Sequence, residues 1–286
     1  MSEFTGFVVL DPGPATTVQD TGRPGLAHLG VPPSGAWDVP AAALADRLVG
    51  NLPDRALLET TLAGPTLRRV GPALWVAVTG APCEVWVGDR AVGPEHAVRV
   101  RDAEVLRLGR VVRGVRSYLA VAGGFTVPPV LGSRSTDVLS GLGPPRLAAG
   151  MELPTGQPDG PVTDVDEAPE RAASGDLLLR VTRGPREDRF ADDAWELLTS
   201  RAWTVTPESN RVGLRLSGPR LQWASEAQLP PEPMVTGALQ VPPSGQLVLF
   251  GPDHPVTGGY PVIAVVDDAG VAATAQAAPG TRLRFA

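Results

Sequence analysis

The chain contains no lysine; all 25 of its basic residues are arginine. A Schiff base, a phosphate-loop lysine and a biotinyl-lysine are therefore excluded on this chain, whatever the cause. An arginine-favouring, GC-rich coding bias accounts for the absence. Cysteine is almost missing too: Cys83 stands alone, which rules out an internal disulfide framework and points to a cytoplasmic setting. No stretch approaches the ~18 apolar residues of a membrane helix. The opening MSEFTGFVVL lacks a basic segment and a cleavage pattern, so no signal peptide is expected. Basic runs are absent and the net charge is −6, which argues against a nucleic-acid groove. Only His28, His96 and His254 occur, without metal-ligand spacing, so no metal is expected. GxSxG, HExxH and phosphate-loop motifs are all lacking, and with them a self-contained ATP site.

What the chain does have is turn formers. Among 286 residues, Gly accounts for 33 and Pro for 31, while 43% are hydrophobic. That mixture predicts a mainly β protein of many short strands around a sizeable core. Two β-rich parts are expected, at 1–155 and 176–286, joined by a polar linker at 156–175 whose TGQPDGPVTDVDEAPERAASG setting holds no aromatic residue. After a strand from Phe7, a long polar loop runs to Asp38, which reads as a helix N-cap with Pro40 in the first turn and Gly50 as the stop. Strands are expected at Leu57 to Thr61, Leu74 to Thr79, Glu84 to Val87, Ala97 to Arg101, Val105 to Leu108 and Ser117 to Ala122. The second part reads as strands from Leu177, with one helix over Asp188 to Thr199.

The string VPPSG occurs twice, at Val31 to Gly35 and Val241 to Gly245, and suggests one stiff loop in each part. Around the first copy lie Gln19, Asp20, Arg23, His28 and Ser34, on backbone held by proline and shaped by glycine. Asp20 and Arg23 also read as a structural ion pair. Around the second lie Gln240, Ser244, Asp253, His254 and Tyr260. His28 and His254 are candidate proton-transfer groups, with Asp253 and Asp20 beside them. Neighbours in an Asp-His-Pro turn rarely converge, so a direct Asp253–His254 dyad is not expected. Asn210 and Arg211 form a further polar loop, and Arg211 or Arg23 suits a carboxylate.

The blocks TTVQDTGRPG, HLGVPPSGAWD, LLETTLAGPTL, YLAVAGGF, VLGSRSTD, SNRVGLRL, GALQVPPSGQ and TGGYP stand in this order along the chain. In them the chain resembles the biotin-dependent carboxyltransferase family, also called allophanate hydrolase subunit 2, and most of all the group that forms the C subunit of 5-oxoprolinase. Trp37 stands where that pattern has Met. The resemblance implies a cyclophilin-like β-barrel architecture in two related halves with a few short helices. It also implies a related B subunit and an A subunit as partners, in a complex that spends ATP to hydrolyse 5-oxo-L-proline to L-glutamate. Catalytic roles would fall to His28, His254, Asp253 and Asp20. Substrate binding would fall to Gln19, Arg23, Ser34, Asn210, Arg211, Gln240, Ser244 and Tyr260. The family also offers two alternatives: a component of an allophanate hydrolase or urea-type carboxyltransferase, using biotin carried on another chain, or a non-enzymatic regulator that antagonises a histidine-kinase inhibitor.

Overall fold

The computed structural model describes residues 4–162, 175–225 and 229–286. Most of the expected linker, residues 163–174, lies outside the described residues. The chain is mainly β and divides into two compact units that are not contiguous in sequence. One comprises Met1–Arg23, Ser34–Thr136 and Gly141–Ala173; the other comprises Pro24–Pro33, Asp137–Ser140 and Ser174–Ala286.

The first unit has two antiparallel sheets. The six-stranded sheet runs, neighbour to neighbour, through Glu152–Pro154, Gly6–Asp11, Thr66–Val70, Val105–Val111, Cys83–Val87 and Arg90–Val92. The five-stranded sheet runs through Thr16–Gln19, Leu57–Thr61, Arg116–Val121, Leu74–Gly80 and Ala97–Val100. Thr66–Val70 alternates buried and exposed residues, the mark of a sheet with one wet face, whereas every residue of Arg116–Val121 is buried. Helix α1 (Val39–Leu48) explains the difference, because it packs on Arg116–Val121 and Leu74–Gly80. The local chemistry of α1 is as the sequence suggests. Asp38 accepts from the Ala41 amide at 3.1 Å, and Gly50 takes the left-handed φ of 74° that ends the segment.

A polar network underlies the start of α1. One Glu59 oxygen accepts from the Trp37 amide at 2.9 Å and from the Tyr118 hydroxyl at 3.0 Å, and that hydroxyl accepts from the Asp38 amide at 2.7 Å. Arg116 stands 3.4 Å from the other Glu59 oxygen and lies over the Trp37 ring at 4.2 Å. All five residues are buried. Burial first, and the Glu59 charge second, push the Tyr118 hydroxyl well above its ordinary value, so it stays neutral and bridges.

The second unit is built on one eight-stranded sheet, ordered Leu177–Leu179, Arg282–Phe285, Trp203–Val205, Gly213–Ser217, Val248–Phe250, Ala238–Gln240, Val262–Val266 and Val181–Arg183. Its two end strands are consecutive in the chain. Leu177–Leu179 pairs parallel with Arg282–Phe285, and two residues later Val181–Arg183 pairs antiparallel with Val262–Val266. One extended segment thus joins both edges of the sheet and rolls it into a nearly closed barrel, which removes exposed edges.

Three departures from expectation have local causes. Thr16–Gln19 is a buried strand rather than part of a polar loop; its Thr16 hydroxyl bonds Pro12 O at 2.7 Å and its Gln19 amide bonds Thr136 O at 3.0 Å. The expected helix at 188–199 is a 3-10 turn, Glu187–Arg189, followed by α2 (Ala194–Ser200). It breaks because Phe190 pairs with Trp223 and the Ala191 amide bonds Gln222 O at 3.0 Å. Helix α3 (Asp268–Thr274) is additional, and Asp267 caps it through the Gly270 amide.

Candidate functional site

In the first unit, Asp20 sits at the centre of the VPPSG-side cluster. Its carboxylate accepts from the hydroxyls of Ser133 and Ser135, both at 2.6 Å, and from the amides of Arg134 (2.6 Å) and Gly22 (2.8 Å). With four donors it anchors the surrounding loops. The expected Asp20–Arg23 ion pair is corrected. Arg23 turns instead to the carbonyls of Ser135 and Val130, and its Nη1 has no partner among the described residues. Gln19 Oε1 and Ser34 Oγ are likewise buried without partners among the described residues. Gln19, Asp20 and Arg23 therefore gather around the Ser133–Thr136 turn. The Ala36 amide bonds Asp20 O at 3.0 Å, so the SGAW strip is tied to the same place. Gly35 is needed there: at φ 89° a Cβ would come within 3.0 Å of the Gly22 nitrogen.

The second unit holds the remaining candidates. His28 is exposed in the 3-10 turn Ala27–Leu29, its Nδ1 3.1 Å from Gly25 O. Arg211 and Asp253 form a bidentate pair, Nε to Oδ2 at 2.8 Å and Nη2 to Oδ1 at 2.9 Å, and Asp253 also accepts from the Val138 amide at 3.1 Å. Both are buried. This fork of bonds occupies the Nε–Nη2 edge of Arg211, which a substrate carboxylate was expected to take. His254 is buried as well, 2% exposed, with Nδ1 2.8 Å from Pro255 O and its ring stacked on Phe250. Burial lowers its pKa, so it is neutral at pH 7 and packed, not presented. No direct dyad forms, in line with expectation: Asp253 faces Arg211 while His254 faces Pro255. Asn210 is taken up by its own turn, accepting from the Val212 amide at 2.8 Å. Gln240 bonds Tyr260 O at 3.2 Å from beneath.

Ser244 and Tyr260 do meet on one surface. They line a cavity of about 650 Å³ in the second unit, together with Arg189, Arg220, Trp223 and Gly259. The two VPPSG copies differ in conformation: Ser34 is left-handed at φ 52° and buried, while Ser244 is exposed in a turn closed by the Gly245 amide on Pro242 O at 2.9 Å. Sequence reasoning missed Arg189, Arg220 and Trp223, which stand in no motif and follow no period. It also missed Glu59, although a carboxylate inside the apolar strand Leu57–Thr61 was a signal worth reading. Among the described residues, no group of three or more His, Cys, Asp or Glu side chains is placed to hold a metal ion.

The comparisons with known proteins agree with one another. Curated relatives include the 5-oxoprolinase C subunit of Escherichia coli, 35% identical over 97% of this chain and 89% of that protein, and its namesake from Haemophilus influenzae at 31%. Urea amidolyase of Lachancea kluyveri is 31% identical, but this chain spans only 17% of it. Among solved structures, the Kluyveromyces lactis urea amidolyase superposes with a TM-score of 0.92 at 31% identity over 100% of this chain and 19% of that one. The TTHA0988 structure superposes at 0.89 with 34% identity, over 56% of its own chain. The family model described as carboxyltransferase domain, subdomain A and B, matches residues 29–286, and the chain belongs to that family.

Proposed function

We propose that the chain is the C-type subunit of an ATP-dependent 5-oxoprolinase complex that hydrolyses 5-oxo-L-proline to L-glutamate in the cytoplasm. The observation that carries this reading is the end-to-end match to the 5-oxoprolinase C subunit, over 97% of this chain and 89% of the relative. The subunit label implies partner chains, here a related B subunit and an A subunit, and the ATP is spent by the complex. Within this chain the atoms left for a substrate are Arg23 Nη1, Gln19 Oε1 and Ser34 Oγ, which have no partner among the described residues, together with Ser244 and Tyr260 on the cavity. A carboxylate suits Arg23 and a lactam N–H suits Gln19 Oε1. Arg211, Asp253 and Asp20 then act by holding the loops.

The experiment is to co-express the three chains and measure glutamate released from 5-oxoproline with ATP. Full activity without this chain overturns the reading. The second reading, a urea-type carboxyltransferase component, is favoured by the TM-score of 0.92 to the urea amidolyase structure. With no lysine of its own, this chain would depend on biotin carried by another protein. Carboxybiotin-dependent turnover of urea, absent with 5-oxoproline, would establish it instead.

A further inference from the structure

Four polar side chains form a row across the five-stranded sheet of the first unit. Glu59 stands directly opposite Thr17 on one neighbouring strand and Tyr118 on the other, and Tyr118 stands opposite Thr79. Residues in register share a face, so the four project together. Each is at most 4% exposed. Stability alone does not call for such a row, because a buried ion pair such as Glu59–Arg116 adds little over well-packed hydrocarbon of the same volume. What the row does is hold backbone. The Thr79 hydroxyl donates to Ala41 O at 2.7 Å, in the first turn of α1. The Tyr118 hydroxyl accepts from the Asp38 amide at 2.7 Å, and Glu59 accepts from the Trp37 amide at 2.9 Å. One residue further back, the Ala36 amide is held by Asp20 O at 3.0 Å. Three successive amides are therefore fixed, two of them by the row. On the other side Pro32 and Pro33 fix their own φ. Between these two restraints lies Ser34, left-handed at φ 52°, a conformation that a residue with a Cβ keeps only when its surroundings impose it. Thr17, at the other end of the row, accepts from Gln19 Nε2 at 3.1 Å and so orients the Gln19 amide whose Oε1 has no partner among the described residues.

We propose that Glu59 and Tyr118 are the positioning residues that keep Ser34 left-handed and its hydroxyl aimed at the substrate. The proposal rests on the reading of Ser34 Oγ as a substrate contact. Neither side chain touches substrate; both act through the backbone of Trp37 and Asp38. A carboxylate can only accept, so the Tyr118 hydroxyl must donate its one proton to Glu59. The phenol lone pairs are thereby left for the Asp38 amide, and the direction of every bond in the support is fixed. Arg116, 3.4 Å from the other Glu59 oxygen, supplies the opposite charge. Releasing either strip amide lets Ser34 relax toward negative φ, which carries its hydroxyl away from its present place.

The test uses the full chain, alone and in the co-expressed complex. With isotope-labelled serine, the Ser34 Cα resonance reports the backbone angle, and Ser34→Ala identifies that signal by deleting it. Tyr118→Phe keeps the ring and frees the Asp38 amide, so it should move the resonance toward the extended range. Glu59→Gln keeps one acceptor oxygen and should move it less in the same direction; it stands in for Tyr118→Phe should that variant not fold. Thr79→Val frees Ala41 O but neither strip amide, and should leave the resonance in place. Circular dichroism verifies the fold of each. In the complex, Tyr118→Phe should lower kcat/KM for glutamate release by roughly tenfold, but by less than about twofold when Ser34 is already alanine. A merely structural role gives the same factor in both backgrounds. The proposal is overturned if the resonance stays in place in Tyr118→Phe and Glu59→Gln, if Thr79→Val moves it as far, or if the losses in kcat/KM multiply. A complex that releases no glutamate with the wild-type chain refutes the 5-oxoprolinase reading instead, and the resonance then decides the positioning by itself.

Discussion

Single residues in this chain are decided by what surrounds them more than by their type. Arg211 and Asp253 stood out in the sequence as polar candidates, yet they are 42 residues apart and nothing local announces that they bond each other. Once paired and buried they hold one another, and either alone would be an uncompensated buried charge. Asp46 shows the reverse case, a titrating group that no motif marked. It lies on α1 among the helical repeats of Ala45 and Leu48, buried, with the Asn51 amide donating to it at 2.9 Å. Burial raises its pKa from 3.8 to about 7, with Asp54 and Asp159 adding like-charge repulsion. The native state therefore binds this proton more tightly than the unfolded chain does. The stabilisation is complete below the unfolded pKa, declines as pH rises, and is gone above about 7. Asp46→Asn keeps an acceptor for Asn51 and removes the cost of charging. Wild-type stability should fall by on the order of 2 kcal/mol between pH 5 and pH 8 through this group, at about 1.4 kcal/mol per unit. The variant should be the more stable of the two at pH 8, with a flatter profile. Urea unfolding at both pH values reads the difference, and an unchanged slope would count against it.

At the scale of elements, those whose ends are set by local chemistry were legible, and those set by distant contacts were not. Asp38, Pro40 and Gly50 delimit α1 by capping, first-turn proline and left-handed glycine, all of which act within a few residues. Thr16–Gln19 was not legible because its polar side chains look like loop chemistry. They become strand residues only when Pro12 O and Thr136 O accept their hydrogen bonds. Helix α3 was missed for a related reason: Gly270 argues against a helix, but a Cβ there would come within 2.6 Å of Val266 Cγ1, so packing demands the glycine. The cap is the part of α1 most open to test. Asp38→Ala removes the acceptor for the Ala41 amide and should cost about 1 kcal/mol, while Asp38→Asn should recover most of it. The Asp38 amide bonds to Tyr118 through the backbone and survives both changes, so thermal melting of the pair isolates the cap. Equal losses in both variants would place the cost in the charge, not the cap.

At the scale of the whole chain, a mainly β architecture followed from turn density and short apolar runs, but barrel closure could not. Closure depends on Leu177–Arg183 serving two strands whose sequences come near the end of the chain, and pattern alone does not pair strands. The site was partly legible for the same reason: the motif blocks named the loops, whereas Arg189, Arg220 and Trp223 reach the cavity only through the fold. The hinge of the closure is Val181. Its amide donates to Ala286 O at 2.8 Å, just after Leu179 O has accepted from the Ala286 amide at 2.9 Å, so the chain passes from one edge partner to the other across this residue. Proline at 181 removes that donor and disfavours any bend Arg180 would need to compensate. Val181→Pro is therefore expected to cost about 3 kcal/mol or more, and to expose the strand edges that closure covers. Thr182→Ser, at an exposed neighbouring position, should change stability by less than about 0.5 kcal/mol. Urea midpoints give the first quantity, and light scattering at rising protein concentration gives the second, because open edges pair between molecules. If Val181→Pro melts with the wild type and stays monodisperse, the segment is not what closes the barrel, and the sheet is held by its interior strands alone.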